Sequence, residues 1–141
     1  MGVADGTRLF DAVDAIHTPG HAPHHVMYYY RDEKALFVGD GAGVHIPELG
    51  VVVPTTPPPF KLDVYLQSLD KVRGLDVEKI CFPHYHCTHN VEILERHREQ
   101  VRAWVEVLQQ NPHMFIKTRG GLCTTGYATP NSPKSILVRV M

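Results

Sequence analysis

A chain of 141 residues with a formal net charge of −1 is the size of one domain and has no basic run of the kind that tracks a nucleic-acid backbone. Its 43% hydrophobic and 21% charged residues are ordinary for a globular protein, and its start holds no apolar stretch long enough for a signal or membrane segment. Cys81, Cys87 and Cys123 are odd in number and lack Cys-x-x-Cys spacing, which argues against a disulfide framework and for a reducing, cytoplasmic setting.

Residues 1 to 6 are small and polar and are expected to fray. From Ala12 to His17 the side chains of Val13, Ala15 and His17 share one side, which predicts a half-buried strand. His25 to Tyr30 and Ala35 to Val38 are β-rich runs joined by Arg31-Asp32-Glu33-Lys34, the pattern of a hairpin. Gly41 to Pro59 reads as loop around a strand-capable Val51-Val52-Val53, because Pro57-Pro58-Pro59 fits neither a helix nor a central strand. Leu62, Tyr65, Leu66, Leu69 and Val72 form a helical face that Gly74 stops. Lys79 to Phe82 is a short strand running into Pro83-His84.

Asn90 is placed to cap a second helix, with Glu92 and Glu95 near its positive end. Its apolar stripe is Val91, Leu94, Val101, Trp104, Val105 and Leu108, and Asn111-Pro112 ends it. Trp104 reads as core and His97 as a partly exposed helix residue. Residues 1–111 therefore form the ordered unit and 112–141 an irregular tail, where only Met114 to Lys117 and Ile136 to Val140 are strand-capable. Alternating strands and helices predict an α/β fold, a mixed sheet with two helices on one face.

Four of the ten histidines fall within the nine residues from His17 to His25. Neutral imidazoles and carboxylates are the groups that hold zinc or iron, whereas an apolar interior has little use for clustered imidazoles. A solvated His-rich turn is the competing reading. Asp40 emerges where the second hairpin strand stops, so His21 and Asp40 would lie at one edge of one sheet.

Thr18-Pro19-Gly20-His21, then Val26-Met27-Tyr28-Tyr29-Tyr30, then Leu36-Phe37-Val38-Gly39-Asp40 resembles the second half of a metallo-β-lactamase-superfamily domain, over about residues 8 to 108. The resemblance implies half of an αββα sandwich. It also implies that His21 is a ligand of a first metal, that Asp40 bridges two metals, and that His84 in Cys81-Phe82-Pro83-His84 completes the second. His25 would orient the ligands or a water from outside through its ring N–H, with His17 and His24 weaker candidates for that role. His45 and Glu48 either contact substrate or belong to a solvated surface loop. His84, His86 and His89 share the spacing of the family's His-x-His-x-Asp-His signature, but Thr88 stands where its aspartate belongs. That favours His84 as the single late ligand.

No such signature lies upstream of His21, so the chain reads as the C-terminal half of a two-half domain. The implied cofactor is zinc, two ions in an intact site, with iron or manganese also suited. The implied reaction is hydrolysis of a small-molecule ester, thioester, lactam or phosphoester, weak or absent in this half alone. The alternative is a non-catalytic metal-binding or oligomerisation module derived from the fold. Half a sandwich exposes an inner face carrying Val26, Tyr28, Tyr30 and Phe37. The expected partners are therefore a second copy of the chain or a complementary N-terminal half, with no nucleic acid and no membrane.

Overall fold

The computed structural model describes residues 4–53, 55, 61–84, 86–110, 115–118 and 121–124. Strand β1 (Thr7–Leu9) pairs antiparallel with β2 (Val13–His17). The tight turn between them places Phe10 at φ 50° and Asp11 at φ 60°, two successive left-handed residues of the sort whose twist matches a hairpin. Neither is glycine, so the sequence carries no turn signal there and β1 is not foreseen. β2 runs antiparallel into β3 (Val26–Tyr30), and β3 into β4 (Ala35–Phe37) through the charged Arg31–Lys34 turn, as the two β-rich runs predict.

A 3₁₀ turn at Gly39–Ala42 follows β4. The stretch expected to be loop then holds a small antiparallel hairpin, β5 (Val44–Ile46) and β6 (Val51–Val53), in a sheet of its own. Helix α1 (Leu62–Arg73) crosses back so that β7 (Lys79–Cys81) lies parallel to β4. A parallel neighbour requires such a crossover. β8 (Cys87–Thr88) returns antiparallel along β7, and α2 (Ile93–Gln110) follows. Asn90 stands one turn before α2, its carbonyl accepting from Ile93 N–H. Within residues 112–141, β9 (Phe115–Thr118) and β10 (Gly121–Thr124) pair as an antiparallel hairpin, and Ile136 to Val140 lies outside the described residues.

The main sheet is mixed and six-stranded, in the order β1-β2-β3-β4-β7-β8. Alternation sorts its two faces. Met27, Tyr29, Leu36 and Ile80 turn toward both helices and form one core with Tyr65, Leu69 and Val72 of α1 and Ile93 and Val101 of α2. The other face carries the cross-strand row Ala15, Tyr28, Phe37, Cys81 and Cys87, where Tyr28 is 38% and Phe37 45% exposed. Among the described residues no helix is long and apolar enough to cross a membrane.

Two expectations are overturned. Cys81 and Cys87 are joined in a disulfide across the β7–β8 pair, because the hairpin brings together two cysteines six residues apart. The inference of a reducing compartment loses its premise. His97 is fully buried, not partly exposed: it continues the Leu94–Val101 stripe of α2 into the core.

Candidate metal centre

β2 ends at His17, and the loop that follows is pinned at several points. Thr18 N–H donates to the His25 carbonyl at 2.9 Å, closing the loop on itself. His17 Nε2 donates to the Pro23 carbonyl at 2.8 Å, which commits that imidazole to the loop. Helix α1 grips the same segment along one face. Ser68 Oγ donates to the Pro19 carbonyl at 2.5 Å, and Lys71 Nζ to the His17 carbonyl at 2.7 Å. Tyr65 packs so tightly on Gly20 that a Cβ there would lie 2.9 Å from its ring and 3.0 Å from its Cα. Gly20 is therefore a packing requirement of the Pro-Gly corner. Behind it, the Tyr65 hydroxyl and His97 Nε2 share a hydrogen bond of 2.6 Å. Burial holds the His97 imidazole neutral, its pKa lowered to about 4 against a weaker opposing contact with the Val52 backbone.

His21, at the crest of this loop, donates its Nδ1–H to the Thr55 carbonyl at 2.8 Å. That bond fixes the tautomer and leaves the Nε2 lone pair turned outward, 3.8 Å from Asp40 Oδ2. His84 Nε2 lies 3.3 Å from the other carboxylate oxygen, Asp40 Oδ1. The Asp40 carboxylate thus sits between two imidazoles brought from distant parts of the sequence, and all three side chains are partly open to solvent. Among the described residues no group of three or more His, Cys, Asp or Glu side chains is drawn together closely enough to hold a metal ion as it stands.

Asp40 is placed by the Gly39–Ala42 turn, and His25 fills the space beneath that turn. Gly41 N–H donates to His25 Nε2 at 3.0 Å, so the ring proton is on Nδ1, which meets Thr18 Oγ1 at 2.9 Å. Burial and then the neighbouring His21 push the His25 pKa down, favouring this neutral form. A Cβ at Gly41 would come within 2.5 Å of the His25 ring, and one at Gly39, where φ is 50°, within 2.7 Å. The glycines flanking Asp40 are thus dictated by the imidazole packed against them. Both His25 nitrogens are occupied, so this side chain holds the turn from behind.

The remaining described histidines go elsewhere. His24 is exposed. His89 donates Nδ1–H to the Glu78 carbonyl at 3.0 Å. His86 Nε2 shares a 2.7 Å hydrogen bond with His45 Nδ1, and the pair stacks near Phe82. His45 is 7% exposed, and burial followed by the neighbouring His86 lowers its pKa. With Glu48 the pair lines a separate cavity of about 450 Å³. Of the three histidines between 84 and 89, only His84 reaches Asp40.

The family model of the metallo-beta-lactamase superfamily matches residues 4–84. The chain belongs to that superfamily. A curated relative, the metallo-beta-lactamase fold-containing protein ST1585 of Sulfurisphaera tokodaii, is 37% identical over 107 residues, which cover 73% of this chain and 39% of the relative. The chain thus spans about two fifths of the relative's length. Among solved structures, the archaeal superfamily protein ST1585 from Sulfolobus tokodaii superposes with a TM-score of 0.54 at 36% identity, over 62% of this chain and 32% of that one. The metallo-beta-lactamase family protein TTHA1429 from Thermus thermophilus shares the fold with a TM-score of 0.61 at 24% identity, over 75% and 36% of the two chains. TTHA1623 in a di-iron-bound form gives 0.53 at 26% identity, over 67% and 44%.

Sequence reasoning missed the side chains that hold the site from behind. Tyr65 and Ser68 lie on the foreseen α1 face, three residues apart. The spacing Leu94, His97, Val101 would have placed His97 in the core, since the three fall on one helical stripe.

Proposed function

We propose that this chain carries one side of a metal-dependent hydrolytic centre of the metallo-beta-lactamase superfamily, with His21, Asp40 and His84 as metal ligands. Zinc is the proposed metal, and iron or manganese suits the same donors. The observation that carries this reading is the Asp40 carboxylate set between His21 Nε2 and His84 Nε2. Neighbouring ligand atoms on one tetrahedral zinc, with bonds of about 2.0–2.1 Å, lie roughly 3.3 Å apart. The His84–Asp40 contact of 3.3 Å has that spacing. The His21–Asp40 contact of 3.8 Å needs roughly half an ångström of closure to reach it. The donor types suit the ion, and a small closure of His21 toward Asp40 would bring them onto it.

When bound, the metal supplies hydroxide near neutral pH and positive charge for the oxyanion formed as an ester, thioester, lactam or phosphoester is attacked. The protein's part is positional. Thr55 holds His21 in the tautomer that offers Nε2, His25 holds the Asp40 turn, and the half-open His84 side chain leaves room for a water and a small-molecule substrate. Three ligands from one chain should hold metal more weakly than an intact two-metal site, so turnover by this chain alone should be slow or absent.

The exposed Tyr28 and Phe37 favour a second reading. In it the chain is a metal-binding module that associates through its open sheet face, with a second copy or with a complementary half. Zinc analysis after dialysis, with ester, lactam and phosphodiester hydrolysis measured with and without zinc, separates the two. Zinc-dependent turnover lost in Asp40→Ala supports the hydrolase, and zinc retained without turnover supports the module. No zinc binding even in direct titration refutes both. A compact monomer in light scattering at micromolar concentration refutes association of the chain with itself.

A further inference from the structure

The disulfide brackets the loop that carries His84. The loop leaves β7 at Cys81 and re-enters the sheet at Cys87. β8 spans two residues at the sheet edge, and its pairing consists of Ile80 with Thr88 and Cys81 with Cys87. One further backbone bond, Phe82 N–H to the His86 carbonyl at 3.1 Å, closes the loop from within. Phe82 is packed in the core and His86 Nε2 bonds His45 Nδ1, so side chains anchor the loop on either side of His84, while the covalent bond is what fixes the spacing of the two strand ends from which it springs. Cys81 is buried and Cys87 exposed, and both lie on the sheet face away from the helices. A small thiol therefore has a way to the Cys87 sulfur.

We propose that the Cys81–Cys87 disulfide is a redox latch on His84, so that thiol reduction loosens the metal centre and reoxidation restores it. The proposal rests on His84 being a metal ligand. The reductant is a dithiol. Its thiolate attacks Cys87 Sγ, the Sγ–Sγ bond breaks, and Cys81 leaves as a thiolate that takes up a proton. The second thiol of the reductant then displaces Cys87, which is protonated in turn. The dithiol becomes a disulfide, and its two electrons and two protons end on the two cysteines. A closed loop this short adds least to global stability, so the fold persists while the loop gains freedom. Ordering one ligand again on binding should cost about 3- to 10-fold in metal affinity.

The test uses the full chain with Cys123→Ser, so that only these two thiols respond. Amide hydrogen exchange is measured without metal, before and after dithiothreitol. Residues 82 to 86 should exchange at least tenfold faster when reduced, with β2, β3 and β4 unchanged. Zinc affinity is then measured by chelator competition for the oxidised form and for Cys81→Ser/Cys87→Ser, which opens the loop without offering thiolates. The double variant should bind about 3- to 10-fold more weakly, and the difference should vanish when His84→Ala is added to both. Unchanged exchange, or equal zinc affinity despite faster exchange, overturns the latch alone. A difference that survives His84→Ala overturns the assigned route through that residue. Absence of zinc binding in every form overturns the metal-centre reading and the latch with it.

Discussion

Between His17 and His25 the chain is gripped from three sides, by α1 through Tyr65, Ser68 and Lys71, by its own Thr18–His25 closure, and by the Thr55 carbonyl on His21. Between Phe82 and His86 it is held by a two-residue edge strand, one backbone bond, a disulfide, the buried Phe82 ring and the His86–His45 hydrogen bond. Both loops bring an imidazole to the same carboxylate. The first is built into the hydrophobic core, so its geometry shares the stability of the whole fold. The second leaves from the sheet edge and is anchored in the core only on either side of His84, through Phe82 and His86, so its geometry is tied less closely to the whole fold. Ligand placement and fold stability are thus joined on the His21 side and less closely so on the His84 side.

The largest expected effect is loss of a ligand. Asp40→Ala and His21→Ala should each lower zinc affinity by about 100-fold or more, read by calorimetric or chelator titration. A small effect from either would mean that the carboxylate is not shared. Next comes Gly41→Ala, whose Cβ would meet the His25 ring at 2.5 Å. Displacing that ring should cost about 1–3 kcal/mol of stability and roughly 10- to 100-fold in zinc affinity, measured by urea melts and the same titration. If stability falls while affinity holds, His25 supports the fold and not the site.

The core side of the comparison also has a pH signature. His97 titrates near 4 when folded, below its ordinary 6.5, so the unfolded chain binds a proton first as the pH falls. Stability should therefore decline from about pH 6.5 down to about pH 4, by up to roughly 1.4 kcal/mol per unit. His25 and His45, also lowered by burial, add in the same direction. Melts of His97→Gln should show a shallower decline, and an identical slope would refute the assignment. Ser68→Ala, which frees the Pro19 carbonyl, should cost about 1 kcal/mol. His89→Ala, on an exposed carbonyl contact, should stay within roughly 0.5 kcal/mol and leave zinc affinity unchanged.

The same contrast explains what could be read in advance. Strands β2, β3, β4 and β7 and both helices are visible in apolar periodicity, which depends only on near neighbours in sequence. His21, Asp40 and His84 each follow a strand end, so topology alone brings them to one rim. β1, β5 and β8 are two or three residues long and, unlike the equally short β4 and β7, stand in no continuous apolar run. The Cys81–Cys87 bond depends on a hairpin that no local pattern announces. The burial of His97 escapes a reading that weighs a helical histidine by residue type and not by its place between Leu94 and Val101. The work of His25 is legible only as proximity to His21. The demand it makes on Gly39 and Gly41 is a three-dimensional fact.

The metal centre stands or falls on whether Asp40 shares bound metal with both His21 and His84. Anomalous diffraction at the zinc edge, on crystals of this chain grown with zinc, tests this most directly. Zinc is expected within about 2.0–2.1 Å of His21 Nε2, His84 Nε2 and the Asp40 carboxylate, as one ion or as two bridged by that carboxylate. Zinc seated instead between His45 and His86, with the Asp40 carboxylate left bare, would contradict it.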